Sequence, residues 1–150
     1  MVQYRVTSKD DIELLMQSRL EMLREVNHLP TDYIFDEELV EKSREYFQNA
    51  NQTTVLAIAK SVIGCATLCY VDMMPTFSHP TGKRAHLMNV YTNKQYRRQG
   101  IAAQMLSMLI DEAREKGVTE ISLDATESGR PLYKKFGFVE SAECMVLNLN

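Results

Sequence analysis

The chain is poor in staples and has no long apolar run. Its 150 residues include three cysteines, Cys65, Cys69 and Cys144. An odd, sparse set argues against a disulfide framework and for free thiols in a reducing compartment. Cys65 and Cys69 fall in one expected strand, where a spacing of four puts them about 13 Å apart. That excludes a mutual disulfide and disfavours a shared metal. No stretch approaches the ~20 apolar residues that span a bilayer. Met1 to Asp10 lacks the apolar core of a signal peptide. These absences predict a soluble cytoplasmic protein with no membrane role. Net charge is −3, so no global basic field points to nucleic acid. His28, His79 and His86 have no metal-ligand spacing with each other or with a cysteine, so no metal is expected. No repeat, low-complexity tract or linker interrupts the chain, which reads as one domain, 1–150.

With 45% hydrophobic residues the chain can bury a proper core. Val2, Tyr4 and Val6 alternate with polar residues and predict a first strand. Ser8 to Asp11 forms a capping-box pattern. Behind it Ile12, Leu15, Met16, Leu20 and Leu23 recur at helical spacing, with Val26 near the helix end. A second helix is predicted from Asp36 to Asn49. Its first carboxylates, Asp36, Glu37 and Glu38, suit capping, and secondarily attraction of a cationic substrate. Thr53–Ala59 and Val62–Val71 read as a hairpin. Gly64 marks a bulge or a close contact within it. The loop Asp72–Arg84 carries Met73, Met74, Phe77 and His79. Two readings stand: a substrate-facing wall, with His79 a residue to test at the acceptor site, or apolar residues folded back on the core. Ala85–Thr92 is a strand and Ile101–Lys116 a long amphipathic helix stopped by Gly117. Glu120–Ala125 is a strand, Pro131 starts a short helix, and Cys144–Leu149 reads as a closing strand. The order predicts an α/β mixed sheet flanked by helices.

Between a strand and the long helix stands Tyr96-Arg97-Arg98-Gln99-Gly100-Ile101-Ala102. A glycine there lets backbone approach a ligand closely. The first helix amides lack intrahelical partners, and the dipole adds partial positive charge. With two arginines beside it, the turn is built like a phosphate or pyrophosphate cradle. Its form is Arg97-x-x-Gly100-x-Ala102. That resembles the acyl-CoA-binding motif of the GNAT superfamily of N-acetyltransferases. Met88-Asn89-Val90-Tyr91-Thr92 resembles the family's pantetheine-holding strand. Leu132-Tyr133-Lys134-Lys135-Phe136-Gly137-Phe138 resembles its L-Y-x-K-x-G-F segment. The likeness covers roughly residues 85–149.

The resemblance implies acetyl-CoA as donor and a primary amine as acceptor, first of all a small molecule. A protein or peptide acceptor and a non-catalytic acyl-CoA-binding module are the alternatives, and a homodimer is left open. The amides of Gln99, Gly100, Ile101 and Ala102 are then expected to hold the pyrophosphate, with Arg97 and Arg98 assisting. Val90, Tyr91 and Thr92 would lie along pantetheine, and the Val90 amide would face the thioester carbonyl. Tyr133 matches the family tyrosine that serves the departing sulfur as general acid. Two departures stand out. Thr126 occupies a position where many members carry asparagine, and its hydroxyl replaces only part of an amide. No glutamate lies on the 86–92 strand to act as base. Asp72, Asp124 and Glu127 are candidates by position only.

Overall fold

The computed structural model describes residues 1–150. Five strands form one sheet in sequence order: β1 (Gln3–Val6), β2 (Gln52–Ile58), β3 (Val62–Asp72), β4 (Lys83–Thr92) and β5 (Glu120–Leu123). The first three junctions are antiparallel, and β4 pairs with β5 in parallel. Helices α1 (Ile12–Val26) and α2 (Glu37–Asn49) connect β1 to β2. Helix α3 (Ile101–Glu115) is the crossover from β4 to β5, and α4 (Arg130–Lys135) follows β5.

Local chemistry starts these helices where the sequence says it does. Ser8 and Asp11 close a reciprocal capping box ahead of α1, and Arg5 pairs with the Asp11 carboxylate. Asp36 caps α2 by accepting from the Glu38 amide at 2.8 Å. The sheet separates two apolar layers. On one face Leu15, Met16, Met22 and Phe47 of α1 and α2 pack on Leu56, Cys65 and Tyr91. On the other, Ile101, Met105, Leu106 and Leu109 of α3 pack on Val55, Ala57, Ala66, Leu68, Ala85 and Leu87. Burying each of these large side chains contributes about 1.5–3 kcal/mol, so the pinned position of α3 follows from its apolar stripe.

Gly64 is needed for a close approach. A Cβ there would lie 2.9 Å from the Tyr91 carbonyl oxygen and 3.3 Å from the Met105 methyl.

Three expectations require correction. The strand expected at Cys144–Leu149 does not form. Residues 139–150 pair with no strand, and Met145, Val146, Leu147 and Leu149 are exposed. The run Met145-Val146-Leu147 breaks strict alternation, and a strand needs a partner that a local pattern cannot supply. The strand expected to reach Ala125 stops at Leu123. The loop after β3 lies at the end of the sheet where β4 begins, about 30 Å along β4 from the arginine turn. There His79 meets Thr119 at 2.8 Å, just before β5, and Phe77 projects fully into solvent. Neither side chain faces the cradle. Nor do the loop's apolar residues fold back on the core, since Met73, Met74 and Phe77 are all exposed.

Candidate active site

Strands β4 and β5 pair only from Arg84↔Glu120 to Leu87↔Leu123. Beyond that point β4 runs on for five residues, Met88 to Thr92, while β5 has ended. The two strands therefore part, and the β4 edge that faced β5 is left open. This is the crevice beside the C-terminal strand ends where open α/β sheets bind ligands. The sequence reading requires β4 and β5 to be neighbours, and they are.

A bulge shapes β4 within the crevice. Cys65 pairs with Tyr91 but Thr67 pairs with Met88, so β4 takes three steps where β3 takes two. Asn89 absorbs the extra residue at φ 59°, a left-handed conformation that asparagine tolerates better than most side chains. The bulge changes which face odd-numbered residues meet. Leu87 packs on the α3 side, whereas Tyr91 packs on the α1 side. A chain of polar groups holds Asn89 in place. Arg19 donates to its Oδ1 at 3.1 Å, and its Nδ2 donates to Thr67 Oγ1 at 3.1 Å. The Cys65 thiol donates to its carbonyl at 3.3 Å.

The turn after β4 is a second strained point. Arg98 has φ 62° and Gly100 φ 78°. Left-handed residues next to a helix start turn successive amides inward, which makes an anion-binding concavity. No side chain caps α3, so the first amides remain unclaimed. A Cβ on Gly100 would meet nothing within 4 Å, so that position opens onto free space. The arginines differ. Arg97 turns back on the protein, donating from Nε to the Thr92 carbonyl at 2.9 Å and from a terminal nitrogen to Glu25 at 3.4 Å. Glu25 also accepts from Tyr91 and lies 3.8 Å from Lys94. Arg97 thus ties the turn to the end of α1, and Arg98, exposed, is the arginine of the two left available to a ligand.

Tyr133 of α4 is half-buried and packs edge-on against Phe138, with ring centroids 5.9 Å apart. Leu132, Tyr133, Phe136 and Val90 all pack against the α3-side core, which brings the tyrosine to the same side of the sheet as the cradle. Its hydroxyl has no protein partner, and burial pushes the phenol up from its ordinary value. It therefore stays protonated at neutral pH. Thr126 is engaged locally, since its Oγ accepts from the Gly129 amide at 3.2 Å. The Thr92 hydroxyl is buried without any partner, an unusual state for a buried oxygen. Of the three carboxylates named as candidate bases, Asp72 lies at the far end of β4, and Asp124 directly follows β5. Asp72 pairs with Lys83 where β4 begins, while the Asp124 side chain is fully exposed and lies 3.6 Å from His86. Glu127 is exposed beside α4.

On the opposite face, α1, α2, β3 and β4 enclose a cleft of about 360 Å³ lined by Arg19, Lys42, Tyr46, Thr67, Cys69 and Asn89, among others. The sequence reading missed it, because its walls come from four distant segments. One signal was present: Arg19 stands on the apolar stripe of α1, three residues after Met16 and three before Met22.

The chain matches the Acetyltransferase (GNAT) family over residues 19–138. It belongs to that family. The family is one of acyltransferases that use acetyl-CoA. A solved structure from Clostridium acetobutylicum, a predicted acetyltransferase with acetyl-CoA, is 32% identical, with a TM-score of 0.84 over 99% of this chain and 96% of that one. A glucosamine 6-phosphate N-acetyltransferase of Trypanosoma brucei brucei is 28% identical over 88 residues, which is 59% of this chain and 58% of that protein. The match thus spans little more than half the length of that relative. The glucosamine-6-phosphate N-acetyltransferase of Arabidopsis thaliana shares the fold at a TM-score of 0.69 and 14% identity, over 100% of this chain and 99% of that one. No helix is long and apolar enough to cross a membrane.

Proposed function

We propose that the protein transfers the acetyl group of acetyl-CoA to the primary amine of a small molecule by direct attack on the thioester. The observation that carries this reading is the junction of the open β4 edge with the uncapped, glycine-led start of α3. An open edge accepts an extended amide-bearing chain as an added strand, and a bare helix start accepts a pyrophosphate. The unpartnered Tyr133 hydroxyl fits the same occupant.

Each residue then has a task. The amides of Gln99 to Ala102 bind the pyrophosphate, Arg98 adds charge at the rim, and Arg97 holds the turn against Glu25. Val90, Tyr91 and Thr92 present backbone along pantetheine. The Val90 amide stabilises negative charge developing on the thioester oxygen. As the amine nitrogen bonds to the carbonyl carbon and the C–S bond breaks, the Tyr133 phenol hydrogen-bonds to the leaving sulfur and supplies its proton. The amine loses its own proton to water, and water restores the phenol. Direct attack is favoured over an acyl-cysteine route. Burial pushes the Cys65 thiol up to about 12, and burial likewise raises Cys69. Thiols so held have little nucleophilic thiolate at neutral pH.

A cleft of about 360 Å³ suits a small acceptor rather than a peptide. The trypanosomal relative's amino sugar is a first candidate. The free thiols suit a reducing, cytoplasmic compartment. A panel of primary amines tests the reading, with free CoA thiol and N-acetyl product measured together. Equal, amine-dependent release of both is expected. Tight CoA binding with no turnover on any amine would instead assign a sensing role.

A further inference from the structure

The cleft between α1, α2 and the β3–β4 face contains a cation that the protein itself leaves unmatched. Arg19 is half-buried, and burial pulls its guanidinium below its ordinary value. Charged groups taken out of water are ordinarily paired with an opposite charge. Arg19 has one hydrogen bond, to the neutral amide of Asn89, and takes part in none of the protein's ion pairs. A guanidinium carries five N–H donors in a planar fork. None of its remaining nitrogens is both sealed from solvent and unpartnered, and Arg19 lines the cleft. The cleft lining adds a second cation, Lys42, and the hydroxyls of Ser43, Tyr46 and Thr67, but no aspartate or glutamate. Lys42 meets Glu45 at 3.5 Å on the exposed rim, which leaves Arg19 as the inner charge.

We propose that this cleft binds the acceptor through a compact oxyanion, a phosphate or carboxylate, gripped by the Arg19 fork and approached by Lys42. The assignment rests on the acetyl-transfer reading for the identity of the occupant, but not for the anion site itself. The fork fits two oxygens of either group in parallel. Asn89 links the site to the reaction. It orients Arg19 with its side chain, and its backbone forms the bulge immediately before Val90. An anion docked on Arg19 is thereby placed on the α1–α2 face of the strand whose other edge holds the donor. A nearby guanidinium also disfavours the ammonium form of the acceptor. That effect assists a cleft with no carboxylate to take the proton.

The test compares matched amines that differ only in the anion: glucosamine 6-phosphate against glucosamine, and an α-amino acid against the amine lacking its carboxylate. Each is measured at saturating acetyl-CoA, and each is also titrated into the CoA-bound protein by calorimetry. In the parent, the anionic member of at least one pair should have a kcat/KM about 10- to 100-fold higher. Which pair shows it identifies phosphate or carboxylate. In Arg19→Gln the advantage should collapse through KM, with the KM for acetyl-CoA unchanged. In Arg19→Lys, which keeps the charge and loses the fork, part of it should survive. The parent comparison needs no variant, so a poorly folded substitution does not block the test. Turnover of neutral and anionic amines at equal efficiency, or a preference that persists in Arg19→Gln, overturns the anion site and leaves acetyl transfer standing. Arg19-dependent binding of the anionic compounds without turnover of any amine supports the anion site and overturns acetyl transfer.

Discussion

Replacing Gly100 by alanine separates the cradle from the backbone that builds it. Gly100 has φ 78°, and Gly117, just beyond the other end of α3, has φ 79°. An alanine at either place must adopt the left-handed region, at about 1–2 kcal/mol. Neither new methyl clashes with protein. That of Gly100 meets nothing within 4 Å, and that of Gly117 meets the Lys83 side chain at an ordinary 3.8 Å. The two substitutions should therefore cost similar stability, roughly 2–8 °C in Tm at about 2–4 °C per kcal/mol. Only one should affect the ligand. Phosphate oxygens bonded to amides sit within about 3 Å of the nitrogens, and in the proposed site a methyl on residue 100 crowds them. Calorimetry should show CoA bound at least about tenfold more weakly by Gly100→Ala, or about 1.4 kcal/mol. Gly117→Ala should bind like the parent. Gly100→Asp should be weaker still, because it adds a negative charge. Equal CoA affinity in the two alanine variants, with both folded, would refute the cradle.

Tyr133→Phe keeps the ring and its contact with Phe138, so Tm and acetyl-CoA binding should change little while kcat falls about 10²- to 10⁴-fold; steady-state kinetics with an active amine decide this, and parent-like turnover would reduce Tyr133 to packing. Arg98→Ala should weaken CoA binding modestly and more at low salt than at high salt. Arg97→Ala should instead lose affinity with little salt dependence, because its guanidinium is spent on Thr92 and Glu25; titrations at two ionic strengths separate the two. Asp11 is held below its ordinary 3.8 first by the Ser8 amide, with Arg5 adding to the effect. A lowered carboxyl stabilises the fold above its unfolded value and loses that contribution as pH falls through the folded value. Denaturation should therefore show Asp11→Ala less stable by about 1 kcal/mol at pH 7, with the gap to the parent closing below 3.8.

The turn proposed as the cradle was legible because its parts are local. A strand, a glycine and an uncapped helix start lie within a dozen residues, and backbone rules decide their geometry. The neighbouring of β4 and β5 was legible from order alone, since a strand, a long helix and a further strand make a parallel crossover. What stayed hidden depended on side-chain direction or on distant partners. Nothing in the local sequence says which of the adjacent Arg97 and Arg98 side chains is free, and Glu25, 72 residues before Arg97, claims only Arg97. The Asn89 bulge left no mark in a strand that otherwise reads as apolar and regular. The loop carrying His79 had the composition of a binding wall but joins the wrong end of β4. The Cys144–Leu149 segment breaks alternation at Met145-Val146-Leu147 and has no partner strand. The cleft proposed for the acceptor needed α1, α2, β3 and β4 to be assembled before Arg19 could be seen as a charge without a mate.

The central claim is direct acetyl transfer from thioester to amine, and a rapid-quench single turnover with acetyl-labelled acetyl-CoA tests it. The account predicts that label reaches the amine at the rate CoA thiol appears, that both require the amine, and that no label is ever found on protein. Release of CoA without amine, or label on Cys65, Cys69 or Cys144 before it reaches the acceptor, would contradict it.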